Sequence, residues 1–207
     1  MSDTEAKKPD IAANDGLRKL IEGNERFMRG EARFPTVCKE TLADLARAQR
    51  PYATIVGCSD SRVPPELIFD ASFGELFIVR IAGNVISPEV LGSLQYAGTH
   101  LRTTLFVILG HEGCGAVHAA LKHKLDGEMQ RCRIQRLVDT ILPGLPPPDD
   151  KLSEQEQLAR AVEANVFWSM HQILEIPEAQ EAIKDGSMLV GAIYEITSGR
   201  VRFLSNS

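Results

Sequence analysis

Long hydrophobic runs, an excess of basic charge and a dense set of cysteines are all missing from this 207-residue chain, and each absence excludes a class of protein. The longest purely apolar stretches, such as Leu105 to Leu109, are about a quarter of the roughly 20 residues needed to cross a bilayer, which excludes a membrane-spanning protein. Lys and Arg number 23 against 28 Asp and Glu, a net charge of −5, and no basic run offers nucleic acid a surface. The four cysteines, Cys38, Cys58, Cys114 and Cys132, are too few and too scattered for a secreted disulfide framework. No positively charged, apolar leader precedes them, so a reducing cytoplasm is the expected setting. Internal repeats and low-complexity tracts are also lacking. What is present is an ordinary globular balance, 43% hydrophobic and 25% charged. A chain of this length buries roughly 70% of the surface its unfolded form exposes, so it sustains a core without disulfides. The cysteines must serve some other purpose.

Residues 1–13 are polar and without apolar periodicity, which predicts a disordered or loosely attached arm; residues 14–207 then form a single domain. Leu17, Leu20, Ile21, Phe27 and Met28 recur at helical spacing behind an Asn14 or Asp15 cap, an amphipathic helix whose apolar stripe needs a covering surface. A second subunit is one candidate for that surface. A shorter helix through Leu42 and Leu45 follows. Continuous apolar runs at Tyr52 to Gly57, Glu75 to Ala82 and Thr104 to Leu109 read as strands buried on both faces. Ser87, Pro88 and Glu89 start a helix between the second and third runs, which makes a parallel crossover. Helices are also predicted from Gly113 to about Leu125, through Ile134, Leu137, Val138 and Ile141, and from a Ser153/Glu156 capping box through Leu158, Val162, Val166, Met170 and Leu174. Between the last two, Pro143 to Asp150 is a proline-rich loop, and Pro177 opens one more short helix. Met188 to Ile196 and Val201 to Leu204 flank a turn at 197–200, so the chain closes in a β-hairpin. The expected fold is α/β, a mostly parallel central sheet flanked by helices, with an N-terminal helical arm and a C-terminal hairpin.

Two segments carry chemistry. Gly57-Cys58-Ser59-Asp60-Ser61-Arg62 ends the first apolar strand and Gly110-His111-Glu112-Gly113-Cys114-Gly115 ends the third, and ligands of open α/β sheets bind at such carboxyl ends. If the first segment is extended, Cys58, Asp60 and Arg62 point the same way. His111 and Cys114 can fold around a single atom. Two thiolates and an imidazole suit Zn²⁺, and three protein ligands leave a fourth position for a water whose pKa the metal lowers toward neutrality. Asp60 beside that water stays ionised only with a compensating charge, which Arg62 supplies, and it then accepts the water's hydrogen bond. The same carboxylate could instead swing onto the zinc and close it. A purely structural zinc, or buried cysteines with a helix-capping histidine, is the competing reading; structural sites favour paired Cys-x-x-Cys hooks and make no use of a neighbouring Asp and Arg.

Cys58-x-Asp60-x-Arg62 followed by Gly110-His111-x-x-Cys114-Gly115 resembles the β-class carbonic anhydrases. The likeness extends through Phe77-Ile78-Val79-Arg80-Ile81-Ala82-Gly83-Asn84, Gly92-Ser93-Leu94-Gln95-Tyr96-Ala97 and the closing hairpin. It implies that Cys58, His111 and Cys114 hold one Zn²⁺ per subunit, that Asp60 with Arg62 is the catalytic dyad, and that the reaction is reversible hydration of CO2 to bicarbonate and a proton. Gln49, Phe77 and Tyr96 fall where plant-type members line the substrate pocket. The family assembles as a dimer or a tetramer of dimers with the pocket at the subunit interface, which would give the helices of residues 14–48 a partner subunit to pack on. Two features depart from subgroup patterns. Members that close Asp onto zinc and hold bicarbonate in a second site carry a Trp where Ile55 stands, although Val63 and Arg80 match that site, so an open centre with Asp60 off the metal is expected. The plant-type pocket valine is Ala82 here, and Gly57 is an alanine in that group. Relatives on this scaffold also hydrolyse carbonyl sulfide or carbon disulfide with the same ligands, and a non-catalytic zinc- or bicarbonate-binding subunit is the alternative outside catalysis.

Overall fold

The computed structural model describes residues 11–33 and 39–204. Cys38 and the first ten residues of the predicted polar arm lie outside them. The elements in chain order are α1 (Ala13–Met28), α2 (Lys39–Leu45), β1 (Ala53–Gly57), α3 (Pro65–Ile68), β2 (Leu76–Arg80), a 3₁₀ turn (Ala82–Asn84), α4 (Pro88–Thr99), β3 (Leu105–His111), α5 (Gly115–Asp126), α6 (Cys132–Ile141), a second 3₁₀ turn (Leu142–Gly144), α7 (Glu154–Leu174), α8 (Pro177–Lys184), β4 (Met188–Tyr194) and β5 (Val201–Phe203). The sheet runs β2-β1-β3-β4-β5, parallel except for the β4/β5 hairpin. The expected α/β architecture is therefore present.

β1 and β3 are central, and their unbroken apolar sequences follow from burial on both faces. On one face Val56, Ile108 and Ile193 meet Val90 and Leu94 of α4, Val117 and Leu121 of α5, and Val162 and Val166 of α7. The opposite face sets Ile55, Val107, Leu109 and Ala192 against Leu20 of α1 and Ile68 of α3. β2 departs from expectation. It lies at the sheet edge, pairs only with β1 among the described residues, and is half-buried rather than enclosed. It also ends at Arg80, two residues early, because Gly83 (φ 69°) and Asn84 (φ 45°) turn the backbone out of the extended region.

α1 corrects one further expectation. Its cap is Ala12, without a side-chain hydrogen bond; Asp15 lies in the first turn, where the helix dipole favours a carboxylate. Within the chain its stripe is divided: Leu20 is fully buried in the core cluster of β1 and β3, whereas Ile21 and Met28 stay exposed. Asn24 ties the helix down, with Nδ2 donating to the carbonyls of Ile68 (3.2 Å) and Gly199 (2.8 Å) and Oδ1 accepting from Val201 N (2.8 Å). The capping box of α7 forms as predicted, with Ser153 N donating to Glu156 Oε2 at 2.8 Å and Glu156 N to Ser153 Oγ at 3.3 Å. No described helix is long and apolar enough to cross a membrane.

Candidate metal centre

The chain winds from β1 to β2 on one side and returns to β3 on the other, so the sheet's topological switch point lies between β1 and β3. Both chemical motifs emerge there. Cys58 directly follows β1, His111 is the last residue of β3, and Cys114 caps α5. All three are buried, with exposures of 5%, 0% and 1% in that order, and their ligand atoms lie within 4.8 Å of one another. The two sulfurs are 3.9 Å apart.

The orientation of His111 shows what the cluster is built for. Nδ1 lies 2.9 Å from the carbonyl of Glu112, which can only accept, so Nδ1 carries the proton. The lone pair is therefore on Nε2, and Nε2 is fully buried with no hydrogen-bond partner among the described residues. A buried acceptor left unpaired costs about 1–3 kcal/mol. A soft divalent cation held also by two sulfurs would satisfy it, and a histidine whose second nitrogen is tied to a carbonyl is the usual form of such a ligand. The donor set thus fits Zn²⁺.

The two thiols are biased in opposite directions. The Cys58 thiol is pulled down, first by the proton Cys114 shares with it and against the effect of burial, then by the backbone N–H groups of Gly83 and Asp60. Cys114 is pushed up in return, because two adjacent thiolates repel and the site is buried. A cation between them removes that conflict and displaces the remaining proton.

Asp60 sits beside the cluster, Oδ2 3.9 Å from His111 Nε2. The expectation that Cys58, Asp60 and Arg62 share one face of an extended segment fails. Val63 N donates to Asp60 O at 3.1 Å, closing a turn that brings Arg62 back onto Asp60. Arg62 then donates three times to the one carboxylate, from its backbone N to Oδ1 (3.0 Å), from Nε to Oδ1 (2.9 Å) and from an Nη to Oδ2 (2.7 Å). These contacts hold the Asp60 carboxyl well below the usual carboxylate range despite partial burial. The partnership foreseen from sequence is real, and its geometry is a turn.

Arg80, foreseen in a buried strand, stands exposed at the end of the edge strand and donates to the carbonyls of Cys58 (3.0 Å) and Asp60. It anchors the loop that presents the thiolate and the carboxylate. The three predicted pocket residues are not brought to the metal cluster. Phe77 pairs in register with Thr54, three positions back along β2 from Arg80, and its ring lies 6.1 Å from that of Tyr96, which is 44% exposed. Gln49 is exposed in the loop that enters β1 from the amino end. Tyr96 also stacks on His100, centroids 4.9 Å apart.

A family model described as carbonic anhydrase matches residues 53–201, which include the whole cluster and its turn. The crystal structure of the β-carbonic anhydrase CafA of Aspergillus fumigatus shares the fold with a TM-score of 0.71 at 28% identity, covering 93% of this chain and 90% of that one. The chain belongs to the β-carbonic anhydrase family. Carbonic anhydrase 2 of Mycobacterium tuberculosis is 39% identical over 88% of each chain, and a carbonic anhydrase of Mycolicibacterium smegmatis is 36% identical over 91% of this chain and 92% of its own. A set of three protein ligands matches the pattern of catalytic metal sites, whereas structural sites are closed by four.

The sequence reading missed the polar residues beneath the cluster. Gly83 N donates to Cys58 Sγ at 3.4 Å, and Asn165 and Ser169 reach the same turn from α7. A signal existed: two polar residues interrupt the buried stripe of Val162, Val166 and Met170.

Proposed function

We propose that this chain hydrates CO2 reversibly to bicarbonate and a proton, with one Zn²⁺ per subunit held by Cys58, His111 and Cys114, in a homodimer or a tetramer of dimers. The observation that carries the reading is the unpaired, buried Nε2 of His111 facing two thiol sulfurs beside an arginine-held carboxylate. When bound there, zinc would supply a Lewis acid able to generate the nucleophile from water near neutral pH. The protein's own part is orientation. Asp60, kept ionised by Arg62, accepts a hydrogen bond from the attacking group and fixes its direction. Both carboxylate oxygens are occupied by Arg62, which favours an open centre with Asp60 off the metal, in keeping with Ile55 at the position where switching members carry Trp.

Gln49, Phe77 and Tyr96 are exposed or half-exposed toward the amino ends of the strands, whereas the cluster is at the carboxyl ends. In a dimer they would reach the cluster of the second copy, Gln49 as an amide donor and the rings as an apolar wall. Thiolate ligands require a reducing compartment, and cytoplasm fits. Two thiolate donors also make the metal a weaker acid than three imidazoles would, so the rate climbs from pH 6.5 to 9; a flat profile would contradict this mechanism. The deciding comparison is CO2 hydration against sulfide release from carbonyl sulfide and carbon disulfide on one zinc-loaded sample. Turnover of CO2 with little sulfide release is expected, and the reverse order would replace the substrate.

A further inference from the structure

Cys58 accepts a hydrogen bond from a backbone group that is itself tightly held. Its Sγ lies 3.4 Å from Gly83 N, the central residue of the 3₁₀ turn Ala82–Asn84. Gly83 has φ 69°, and a Cβ there would meet Ile141 Cδ1 at 2.9 Å and Ala116 Cβ at 3.0 Å, so neither the conformation nor the space admits another residue. Asn84 is also left-handed, φ 45°, and buried. A single such residue costs about 1–3 kcal/mol and persists only where its surroundings over-determine it.

Those surroundings are two buried polar side chains of α7, one turn apart. Asn165 Nδ2 donates to Gly83 O at 2.8 Å. Ser169 Oγ donates to Asn84 O at 3.0 Å and accepts from Asn84 Nδ2 at 3.3 Å. Both residues are 1% exposed on a helix face otherwise built of Val162, Val166 and Met170. Asn165 Oδ1 has no hydrogen-bond partner among the described residues, so this amide carries a desolvation cost that packing alone does not explain.

We propose that Asn165 and Ser169 are positioning residues of the metal centre: by fixing the carbonyls of Gly83 and Asn84 they aim the Gly83 N–H at Cys58 Sγ and so set how strongly that thiolate donates to the metal. The inference rests on the reading of Cys58 as a ligand. An N–H donor withdraws charge from sulfur and lowers the energy of its lone pairs; freeing the turn removes that effect. The test uses the full chain loaded with Co²⁺, whose thiolate charge-transfer band reports the sulfur directly. Asn165→Ala and Ser169→Ala should each move the band to longer wavelength, because a sulfur freed of the N–H donor has lone pairs of higher energy. Ser169→Thr keeps the hydroxyl and should return the band to its wild-type position. Gly23→Ala, remote from the centre, should lower stability with the band unmoved. Should Asn165→Ala fail to fold, the two Ser169 variants decide. A band unchanged in Ser169→Ala reduces both residues to packing and overturns the proposal, whereas a wild-type protein with no thiolate band overturns the ligand assignment beneath it.

Discussion

Under the proposed function Asp60 and Cys58 have different roles at the centre, which single substitutions separate. The Asp60 carboxylate is held at both its oxygens by Arg62. Asp60→Asn should therefore retain one zinc per chain while CO2 hydration falls about 10²–10⁴-fold, the range for a positioned group acting on the reacting proton. Loss of zinc in that variant would instead make Asp60 a ligand. Cys58→Ser removes a soft donor, and metal analysis after dialysis should find the centre empty. At this scale the sequence was legible because the chemistry demands specific types: two thiolates and an imidazole at paired strand ends. The route by which Arg62 meets Asp60 was not legible. Alternation along an extended strand and a tight turn both bring residues i and i+2 together, and only the hydrogen bond from Val63 N to Asp60 O distinguishes them.

Between elements, the docking of α1 on α3 is set by one glycine and one carboxylate. A Cβ on Gly23 would stand 1.9 Å from the carbonyl oxygen of Phe69. Alanine gains about 1 kcal/mol of helix propensity over glycine, but so short an approach forces the helix outward, at a cost of about 1–3 kcal/mol or more. Gly23→Ala should thus destabilise by about 1 kcal/mol or more in urea unfolding, and a stabilised variant would show that α1 is free to move. Asp70, with a side chain 1% exposed, binds Arg26 Nε at 2.6 Å, Arg33 Nε at 2.9 Å and Arg33 N at 2.7 Å. Burial pushes its carboxyl up; the two arginines and the Arg33 amide outweigh that and bring it below the ordinary value. A depressed folded pKa means that the unfolded chain binds the proton first, so the stabilisation is full above about pH 4 and is lost as pH falls below it. Asp70→Asn should cost about 1–3 kcal/mol at pH 7, with the gap to wild type closing as pH drops toward 3. A gap independent of pH would remove charge from the explanation. The helices and strands themselves followed from periodicity and caps, as the Ser153/Glu156 box shows. Which surface covered α1 did not follow, since an apolar stripe such as Leu17 and Leu20 does not name its partner. Nor did the edge position of β2: an apolar run reads alike in a central strand and in an edge strand.

For the whole molecule, one α/β domain brings the proposed metal ligands Cys58, His111 and Cys114 together but leaves Gln49, Phe77 and Tyr96 apart from them. That separation is the reason to expect an assembly. Light scattering of the zinc-loaded chain should give a dimer or a multiple of it, and Phe77→Ala with Tyr96→Ala should slow CO2 hydration without loss of zinc; a fully active monomer would end the assignment of these three residues. The central claim is that catalysis resides in a metal held by Cys58, His111 and Cys114 and oriented through Asp60. Its most direct test is stopped-flow CO2 hydration on the full chain, with zinc content measured on the same samples as metal is added back after chelation. The rate should rise in proportion to bound zinc and level off at one equivalent per chain in the wild type, while Asp60→Asn takes up the same equivalent and stays slow. Hydration independent of zinc content, or an Asp60→Asn protein as fast as wild type at full loading, would contradict the account.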